Sequence, residues 1–403
     1  MNLVAWRCML MHMTVTHPLG FVAAGVTAGL KSSGKKDVAL VLNEGPDFVG
    51  AGVFTSNRVV AAPVVWSRQV VADGRVDAVI LNSGGANAAT GPEGFLDSHA
   101  TAEHVAAALQ AAGRDVSPGD VAVCSTGLIG LRLPMPMLLA GVDEAVTELG
   151  AEGGALAAEA IMTTDSIPKT TVVEGDGWSI GGMAKGAGML APGMATMLCV
   201  ITTDAVIDPE QAKIALTEAV RTTLNRLDSD GCMSTNDTVV LMSSGASGIQ
   251  PAPAEFQKAL TEATHDIAQQ LLRDAEGSEH DIAIRVVNAT SQDAAEAVAR
   301  AVTRSNLFKA AIFGKDPNWG RIISAVGTVP EEVAPFDASA LDVWVNGVHA
   351  CKASGVGEDR SLIDLSGREV DIVIDLHAGD ATATVWTNDL THDYVHENSA
   401  YSS

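Results

Sequence analysis

The clearest candidate for catalysis is Thr196, whose hydroxyl lies between a glycine-rich loop and an apolar segment in the stretch KGAGMLAPGMATMLCVITTDA, residues 185–205. Glycine permits strained backbone conformations, and the small side chain of Ala195 leaves the carbonyl group before Thr196 approachable. A hydroxyl held against that carbonyl can cut the chain through an N→O acyl shift. The new terminal amine, with a pKa of about 8, would then act as the base for the same hydroxyl. The ordinary alternative is a β-branched residue that simply suits the start of a strand.

A second candidate group follows the apolar segment VAVCST, which ends at Thr126. In the motif CSTGLIG, residues 124–130, Thr126 offers a hydroxyl and Gly127 offers an unobstructed backbone N–H. Two such donors aimed at one oxygen stabilise the oxyanion of a tetrahedral intermediate, and the loss of one donor raises the barrier by about 3 kcal/mol. The same motif also fits an ordinary turn between a strand and a helix, so the sequence leaves both interpretations open.

Two other patterns do not predict a cofactor or a metal. Residues 186–191 fit the glycine spacing of a dinucleotide-binding loop, but a predicted strand follows them where that fold requires a helix. His392 and His396 are spaced to share one face of a helix, yet the sequence offers no third ligand at metal spacing. We therefore expect no metal and no cofactor.

Composition limits the classes of partner. The chain has 403 residues with 49 acidic and 25 basic side chains, and its formal net charge of -24 opposes binding to nucleic acid and to anionic membranes. The five cysteines are odd in number and form no C-x-x-C pair, which is typical of reduced thiols in a cytoplasmic protein. No apolar run is long enough to span a membrane. Residues 1–13 are expected to form a disordered leader.

The candidate residues must be positioned by strands and helices that alternate along the chain. Short runs rich in β-branched residues predict strands at residues 38–42, 76–82, 121–126, 197–203, 238–244, 281–287, 341–347 and 370–376. Apolar residues at helical spacing predict helices at residues 98–113, 152–162, 209–228, 254–276 and 292–313. This mixture indicates an α/β protein of stacked layers, in which helices cover the sheets.

A series of motifs resembles the ornithine acetyltransferase family, the glutamate N-acetyltransferases of the cyclic arginine pathway. The motifs are NSGGANAATG (82–91), CSTGLIG (124–130), IMTTD (161–165), MAKGAGMLAPGMATML (183–198), STNDT (234–238), DAEG (274–277), DPNWGR (316–321) and ENSAYSS (397–403). They occur in the same order as in the family, and the resemblance extends from about residue 18 to the end of the chain.

The resemblance implies a self-cleaving acyltransferase that needs no cofactor. Cleavage between Ala195 and Thr196 would leave an α chain, residues 14–195, and a β chain, residues 196–403, intertwined in one unit, with two of each chain assembling together. The implied fold is the four-layer αββα architecture of this family, which resembles N-terminal nucleophile hydrolases but has its own topology. Thr196 would accept the acetyl group of N2-acetyl-L-ornithine and pass it to L-glutamate. Acetyl-CoA is a further candidate donor.

The resemblance also assigns the remaining site residues. Thr126 and Gly127 match the family's oxyanion hole, and its substrate-binding positions are matched by Thr163, Lys185, Thr196, Glu276, Asn398 and Ser403. Lys185 could pair with the α-carboxylate that both substrates share, and Glu276 with the ammonium group of ornithine. Without the resemblance, these two would be an ordinary surface lysine and a solvated acid. A role for Ser403 requires the C-terminus to fold back into the site.

The chain departs from the family pattern at a few positions, and two other functions stay open. Gly193 occurs where many relatives have serine before the cleavage point, and Cys232 and Met233 replace small polar residues. These changes bear on rates rather than on the class of reaction. One alternative function is a related self-cleaving amidohydrolase or aminopeptidase, in which water resolves the acyl-enzyme. The other is a non-enzymatic assembly module in which Thr196 serves only maturation.

Overall fold

Two β-sheets stacked face to face occupy the centre of the computed structural model, which describes residues 14–191 and 197–400. The first sheet contains β1 (Phe21–Val26), β2 (Val38–Asn43), β4 (Ala78–Asn82) and β5 (Val121–Ser125), in that spatial order. The second sheet has the spatial order β3 (Val49–Phe54), β9 (Thr238–Ser243), β8 (Leu198–Thr203), β7 (Ser179–Lys185) and β6 (Lys169–Glu174). Neighbouring strands are antiparallel except for the parallel pairs β4 with β5 and β8 with β9.

Alternation along β8 explains how the sheets stack. Leu198 and Val200 pack in the core between the two sheets, whereas Cys199 and Ile201 pack in the core on the other face of the second sheet. Successive side chains of a strand point to opposite faces, so a strand that is apolar at every position is buried on both sides. The run LCVITT therefore forms an inner strand, with a sheet on one face and helices on the other.

Helices cover the outer face of each sheet. α2 (Gly91–Ala111) and α3 (Met135–Thr147) pack on the first sheet, and α5 (Pro209–Thr222) and α6 (Pro253–Arg273) pack on the second. Two further helices, α1 (Ala62–Val70) and α4 (Gly154–Ala160), contact β5 and β1 of the first sheet. Together these layers make the αββα architecture that the resemblance implied, so this prediction is confirmed.

The last part of the chain adds a third sheet with its own core. Its spatial order is β13 (Gly355–Val356), β12 (Val348–Lys352), β11 (Asp342–Val345), β14 (Glu369–Asp375), β10 (Asp281–Ala289) and β15 (Ala381–Asn388). Three helices, α7 (Gln292–Thr303), α8 (Asn306–Phe313) and α9 (Trp319–Val326), share this core. α10 (His392–Ala400) follows β15. Within the described residues, no helix is both long and apolar enough to cross a bilayer.

Several elements differ from the sequence-based predictions for identifiable reasons. The strands β3 and β7, with sequences VGAGVF and SIGGMAK, were missed because glycine is depleted in strands. At Gly50 of β3 a Cβ atom would lie 2.3 Å from a methyl group of Val76, so packing requires the glycine. The helix predicted at 292–313 is two helices, because Ser305 has extended backbone and caps the second by accepting the Phe308 N–H.

Other boundaries were also misjudged. The helix predicted at residues 209–228 ends at Thr222 and is followed by a separate 3-10 turn, Leu224–Arg226. The sequence analysis did not predict nine further elements, which are strands β1, β6, β12, β13 and β15 and helices α1, α3, α9 and α10. All eight predicted strands are present, with ends that differ by one or two residues.

Candidate active site

Six of the predicted site residues, from distant parts of the sequence, line one pocket. They are Thr126, Gly127, Thr163, Lys185, Glu276 and Asn398, and the pocket wall also includes Ala86, Ile129, Thr164, Gly188, Met189, Ser234, Thr235 and Asn236. The other predicted residues, Thr196 and Ser403, lie outside the described residues, as does the Ala195–Thr196 bond. The described residues on either side of that gap, Ala191 and Met197, are both buried. The role of each residue stays a prediction.

The predicted oxyanion donors lie where two strand ends meet. Thr126 follows β5 and forms an isolated antiparallel bridge with Gly85, whose N–H donates to the Thr126 carbonyl at 3.0 Å. Gly127 has a φ of 130°, and a Cβ atom there would lie 2.8 Å from the Gly85 nitrogen. Only glycine fits this close approach of two backbones. No described residue accepts a hydrogen bond from the Gly127 N–H, so that donor is available to a ligand.

Lys185 places a cation next to the hydroxyl of Thr126. It is the last residue of β7, it is buried, and its Nζ donates to Thr126 Oγ1 at 3.4 Å. Burial lowers the pKa of Lys185, and the negative charges of nearby carboxylates oppose that effect. The alternative interpretation of Lys185 as an ordinary surface lysine is therefore wrong, because its side chain is buried in the pocket wall.

The loop IMTTD and the turn after α6 meet on another side of the pocket. The Thr163 N–H donates to Asp165 Oδ2 at 2.9 Å, and the hydroxyl of Thr164 donates to Glu276 Oε1 at 2.7 Å. The carboxylate of Glu276 also lies against Gly188, where a Cβ atom would be 2.7 Å from Oε2. Glu276 is therefore held against the glycine-rich loop rather than solvated at a helix end.

α10 brings Asn398 to the pocket from the C-terminal end of the chain. The Thr391 hydroxyl, just before the helix, donates to the Gly277 carbonyl at 2.6 Å. Gly277 has a φ of 61°, and a Cβ atom there would lie 2.2 Å from the Tyr394 nitrogen, so the helix start packs closely on the turn that carries Glu276. The expectation that Ser403 reaches the site concerns a residue outside those described and stays a prediction.

The motif STNDT contributes two buried side chains whose roles the sequence did not indicate. Asn236 Nδ2 donates to the carbonyls of Ala86 and Ser125, at 2.6 Å and 2.8 Å, and so ties together the loops after β4 and β5. Asp237 accepts the Met197 N–H at 3.0 Å through Oδ1, while its buried Oδ2 forms no hydrogen bond of standard geometry with another described residue. Burial raises the pKa of Asp237 well above its usual value. The one sequence feature that could have drawn attention to Asn236 and Asp237 is the polar run STNDT directly before an apolar strand.

With this geometry in place, the comparisons with known proteins identify the family. The chain matches the ArgJ family over residues 22–403. The chain belongs to the ArgJ family. The resemblance inferred from the motifs is confirmed, and the chain is an enzyme of that family. Within the described residues, no group of three or more histidine, cysteine or acidic side chains is arranged to hold a metal ion.

Two curated members of the ArgJ family cover nearly the whole chain. The arginine biosynthesis bifunctional protein ArgJ of Streptomyces coelicolor is 60% identical over 391 residues, which is 97% of this chain and 100% of that protein. The protein of the same name from Bifidobacterium longum is 59% identical over 396 residues, again 97% and 100%. A solved chain of ornithine acetyltransferase complexed with ornithine, from Mycobacterium tuberculosis, is 61% identical and covers 46% of this chain and 96% of its own length, with a TM-score of 0.44.

Proposed function

We propose that this enzyme transfers an acetyl group from N2-acetyl-L-ornithine to L-glutamate through an acetyl-threonine intermediate on Thr196. The observation that carries the proposal is the pocket that collects Thr126, Gly127, Lys185 and Glu276 from three separate segments. The names of the relatives support it, since they describe bifunctional proteins of arginine biosynthesis and an ornithine acetyltransferase.

In the first half-reaction, the Thr196 hydroxyl oxygen attacks the acetyl carbonyl carbon of acetylornithine. The hydroxyl proton passes through the terminal amine to the departing nitrogen, the C–N bond breaks and ornithine leaves. The hydroxyl of Thr126 and the N–H of Gly127 stabilise the oxyanion of the tetrahedral intermediate. In the second half-reaction, the amine of glutamate attacks the ester carbon, the C–O bond breaks and the proton returns to Thr196.

The proposed substrate contacts follow from charge. Both substrates carry a carboxylate on the carbon beside the reacting nitrogen, and Lys185 is the buried cation of the pocket wall that would pair with it. Glu276 would pair with the distal ammonium of ornithine. Thr163, Asn398 and Ser403 complete the binding site as the family resemblance implies. Acetyl-CoA is proposed as a second acetyl donor, and no cofactor is needed because the chain itself supplies nucleophile, base and oxyanion donors.

The proposal includes self-cleavage between Ala195 and Thr196, which generates the terminal amine. The sheet order supports a product that stays together, because β7 lies before the cut, β8 lies after it, and the two strands pair from Ile180 with Thr203 to Lys185 with Leu198. We further propose an assembly of two α and two β chains. The buried free thiols of Cys124, Cys199 and Cys351 favour a reducing compartment, the cytoplasm.

The test is an assay of ornithine release from N2-acetylornithine with and without glutamate. We expect release to require glutamate and to yield N-acetylglutamate in equal amount, with ping-pong kinetics. Release with water as the sole acceptor would instead indicate the amidohydrolase alternative. A correctly cleaved protein that released no ornithine under either condition would favour the assembly module.

A further inference from the structure

A buried network of three charged side chains lies beside the pocket. Lys169 Nζ donates to Asp165 Oδ1 at 2.5 Å and also to the carboxylate of Asp274. The side chains of Lys169 and Asp165 are completely buried. Asp274 in addition accepts the N–H of Ser166 at 3.0 Å. A buried charge is tolerated only when it is paired and hydrogen-bonded, and Lys169 meets this condition on both sides.

Asp165 also holds two segments of the pocket wall by their backbones. Its Oδ1 accepts the Gly186 N–H at 2.6 Å, and its Oδ2 accepts the Thr163 N–H at 2.9 Å. Gly186 directly follows Lys185, and Thr163 lines the pocket. One carboxylate therefore fixes the end of β7 relative to the loop after α4, which sets where the Lys185 ammonium lies.

Asp165 differs from Asp274 in its effect on Lys185. Lys185 forms no ion pair with any carboxylate of the described residues, and its one hydrogen bond is to Thr126. Burial lowers the pKa of Lys185, and the charge of Asp165 is the largest influence that raises it, whereas any effect of Asp274 on this pKa is smaller. The titratable groups with the largest influence on Lys185 include Asp165, Lys169, Asp237 and Glu276, and Lys31 also interacts with it.

Asp165 itself remains charged under assay conditions. Although burial raises its pKa, the positive charges of Lys185 and Lys169 and the hydrogen bonds from Lys169 and Thr163 lower it to about 2. The ammonium of Lys169 is already neutralised by two carboxylates, while that of Lys185 is left without an ionic partner in the described residues. The fixed negative charge of Asp165 is thus available to keep Lys185 cationic in a buried site.

We propose that Asp165 is a positioning residue that keeps Lys185 cationic and correctly placed, so that the pocket selects substrates with a carboxylate beside the reacting nitrogen. This inference rests on the proposed function, and it adds the residue that determines carboxylate selectivity. The charge of Asp165 also explains how Lys185, which is buried at the end of β7, can stay cationic and bind an anion. Without the nearby negative charge, the ammonium would lose its proton as pH rises and would bind a carboxylate poorly.

The test compares two acetyl donors that differ only in this carboxylate. N-Acetylputrescine is N2-acetylornithine without its carboxylate, so the ratio of their kcat/KM values measures carboxylate recognition. We expect the wild-type protein to favour acetylornithine by about a hundredfold, as for a charge-assisted contact. In Asp165→Asn, we expect the alkaline limb of kcat/KM for acetylornithine to move down by about one pH unit and the preference to fall about tenfold at pH 8. At pH 6 the preference should return towards the wild-type value.

Asp274→Asn is the matched control, because it also breaks an ion pair with Lys169 but removes a charge that affects Lys185 less than Asp165 does. This control should move the alkaline limb and the donor preference much less than Asp165→Asn does, whatever happens to its rate. A preference in Asp165→Asn that is unchanged, or that is reduced equally at pH 6 and pH 8, would overturn the inference. A shift of the same size in Asp274→Asn would overturn it as well.

A second variant provides the same test if Asp165→Asn fails to fold. Asp165→Asn combined with Lys169→Met removes the buried charge together with its buried partner, and the alkaline limb should still move down, by a smaller amount. No movement in this variant would overturn the inference. A wild-type protein that releases no ornithine from acetylornithine contradicts the proposed function instead. A wild type that transfers acetyl groups without preferring the carboxylate-bearing donor contradicts only the role of Asp165 and Lys185.

Discussion

Among the single residues, Thr126 is the predicted donor whose hydroxyl and backbone are both held by hydrogen bonds. Its hydroxyl accepts a hydrogen bond from Lys185 at 3.4 Å, and its backbone is hydrogen-bonded to the Asn82 carbonyl and the Gly85 N–H. The hydroxyl is therefore preorganised before substrate arrives. Preorganised donors stabilise charge that develops in the transition state without a cost of reorganisation during the reaction.

We predict that Thr126→Val lowers kcat for acetyl transfer by about a hundredfold and changes KM little, because a donor to the oxyanion acts mainly in the transition state. Valine keeps the shape of threonine but has no hydroxyl. Thr126→Ser keeps the hydroxyl and is the matched control, which should retain most of the rate. Steady-state kinetics of both cleaved variants measure the effect. Equal losses in the two variants would show that the methyl group, not the hydroxyl, matters.

Asp237 leads to a prediction about stability and pH. In the folded protein the pKa of Asp237 is raised above the ordinary value of 3.8, because burial disfavours the charged carboxylate. Asp237 therefore lowers the stability of the protein at every pH at which its carboxyl is ionised in the unfolded chain. Asp237→Asn removes that cost and should raise the free energy of unfolding at pH 7. The gain should shrink as the pH falls through the raised folded pKa, and should vanish near pH 3.8.

The measurement is denaturant unfolding of Asp237→Asn at several pH values, in the Thr196→Ala background so that one chain unfolds. Asp165→Asn is the contrasting control, since the folded pKa of Asp165 is lowered to about 2 and its charge stabilises the protein above the unfolded pKa, a contribution lost as the pH falls towards 2. It should therefore destabilise at pH 7. Destabilisation by Asp237→Asn at pH 7 would contradict the energetic cost of burying the Asp237 carboxylate.

At the scale of elements, the pocket depends on glycines that let backbones approach. The loop after β5 meets the loop after β4 at Gly127 and Gly85, and the turn after α6 meets α10 at Gly277. Each contact brings predicted site residues from different segments into one wall. Rigid strands and helices fix the ends of these loops, which is how loop residues can be held with the precision that catalysis needs.

We predict that Gly127→Ala lowers both stability and acetyl transfer, because the added Cβ would lie 2.8 Å from backbone of Gly85 and cannot be relieved by a side-chain movement. Gly130→Ala is the matched control, since Gly130 has a positive φ of 87° but an added Cβ would meet nothing within 4 Å. The control isolates the conformational cost, about 1 kcal/mol. Thermal unfolding and activity of both variants provide the comparison. Similar behaviour of the two variants would contradict a steric requirement at Gly127.

The sequence predicts some of these strands and pocket residues but not others. Runs of β-branched residues, such as the DVALVL segment, predict strands like β2 directly. The sequence does not predict β3 and β7, because packing requires glycines in them and glycine is depleted in strands. Motifs indicated the six pocket residues because their types and spacing match a family. They could not indicate Asp165, Lys169 or Asp237, whose importance depends on burial and on which charges become neighbours, and single-sequence patterns do not contain that information.

At the scale of the molecule, the proposed α and β chains share the second sheet and the apolar cores on its two faces. The second sheet takes β3, β6 and β7 from before residue 196 and β8 and β9 from after it. The third sheet lies entirely after residue 196, and α10 extends from it to the pocket. Separating the two chains would therefore break the middle of a sheet and expose the apolar cores on both of its faces.

We predict that the cleaved chains co-elute in gel filtration without denaturant and separate only when the protein unfolds. The hydrogen-bonded pairing of β7 with β8, and the burial of both strands, are the physical reason. The uncut Thr196→Ala protein is the control for the size of the intact unit. Native separation of the two chains would contradict the shared sheet.

The most direct test of the central claim is the intact mass of the wild-type protein beside Thr196→Ala, before and after addition of N2-acetylornithine without glutamate. We predict two wild-type fragments, one ending at Ala195 and one beginning at Thr196, and a single uncut chain for the variant. The fragment that begins at Thr196 should gain the mass of one acetyl group and lose it when glutamate is added. A folded wild-type protein that remains uncut, or an acetyl group found on another residue, would contradict the account.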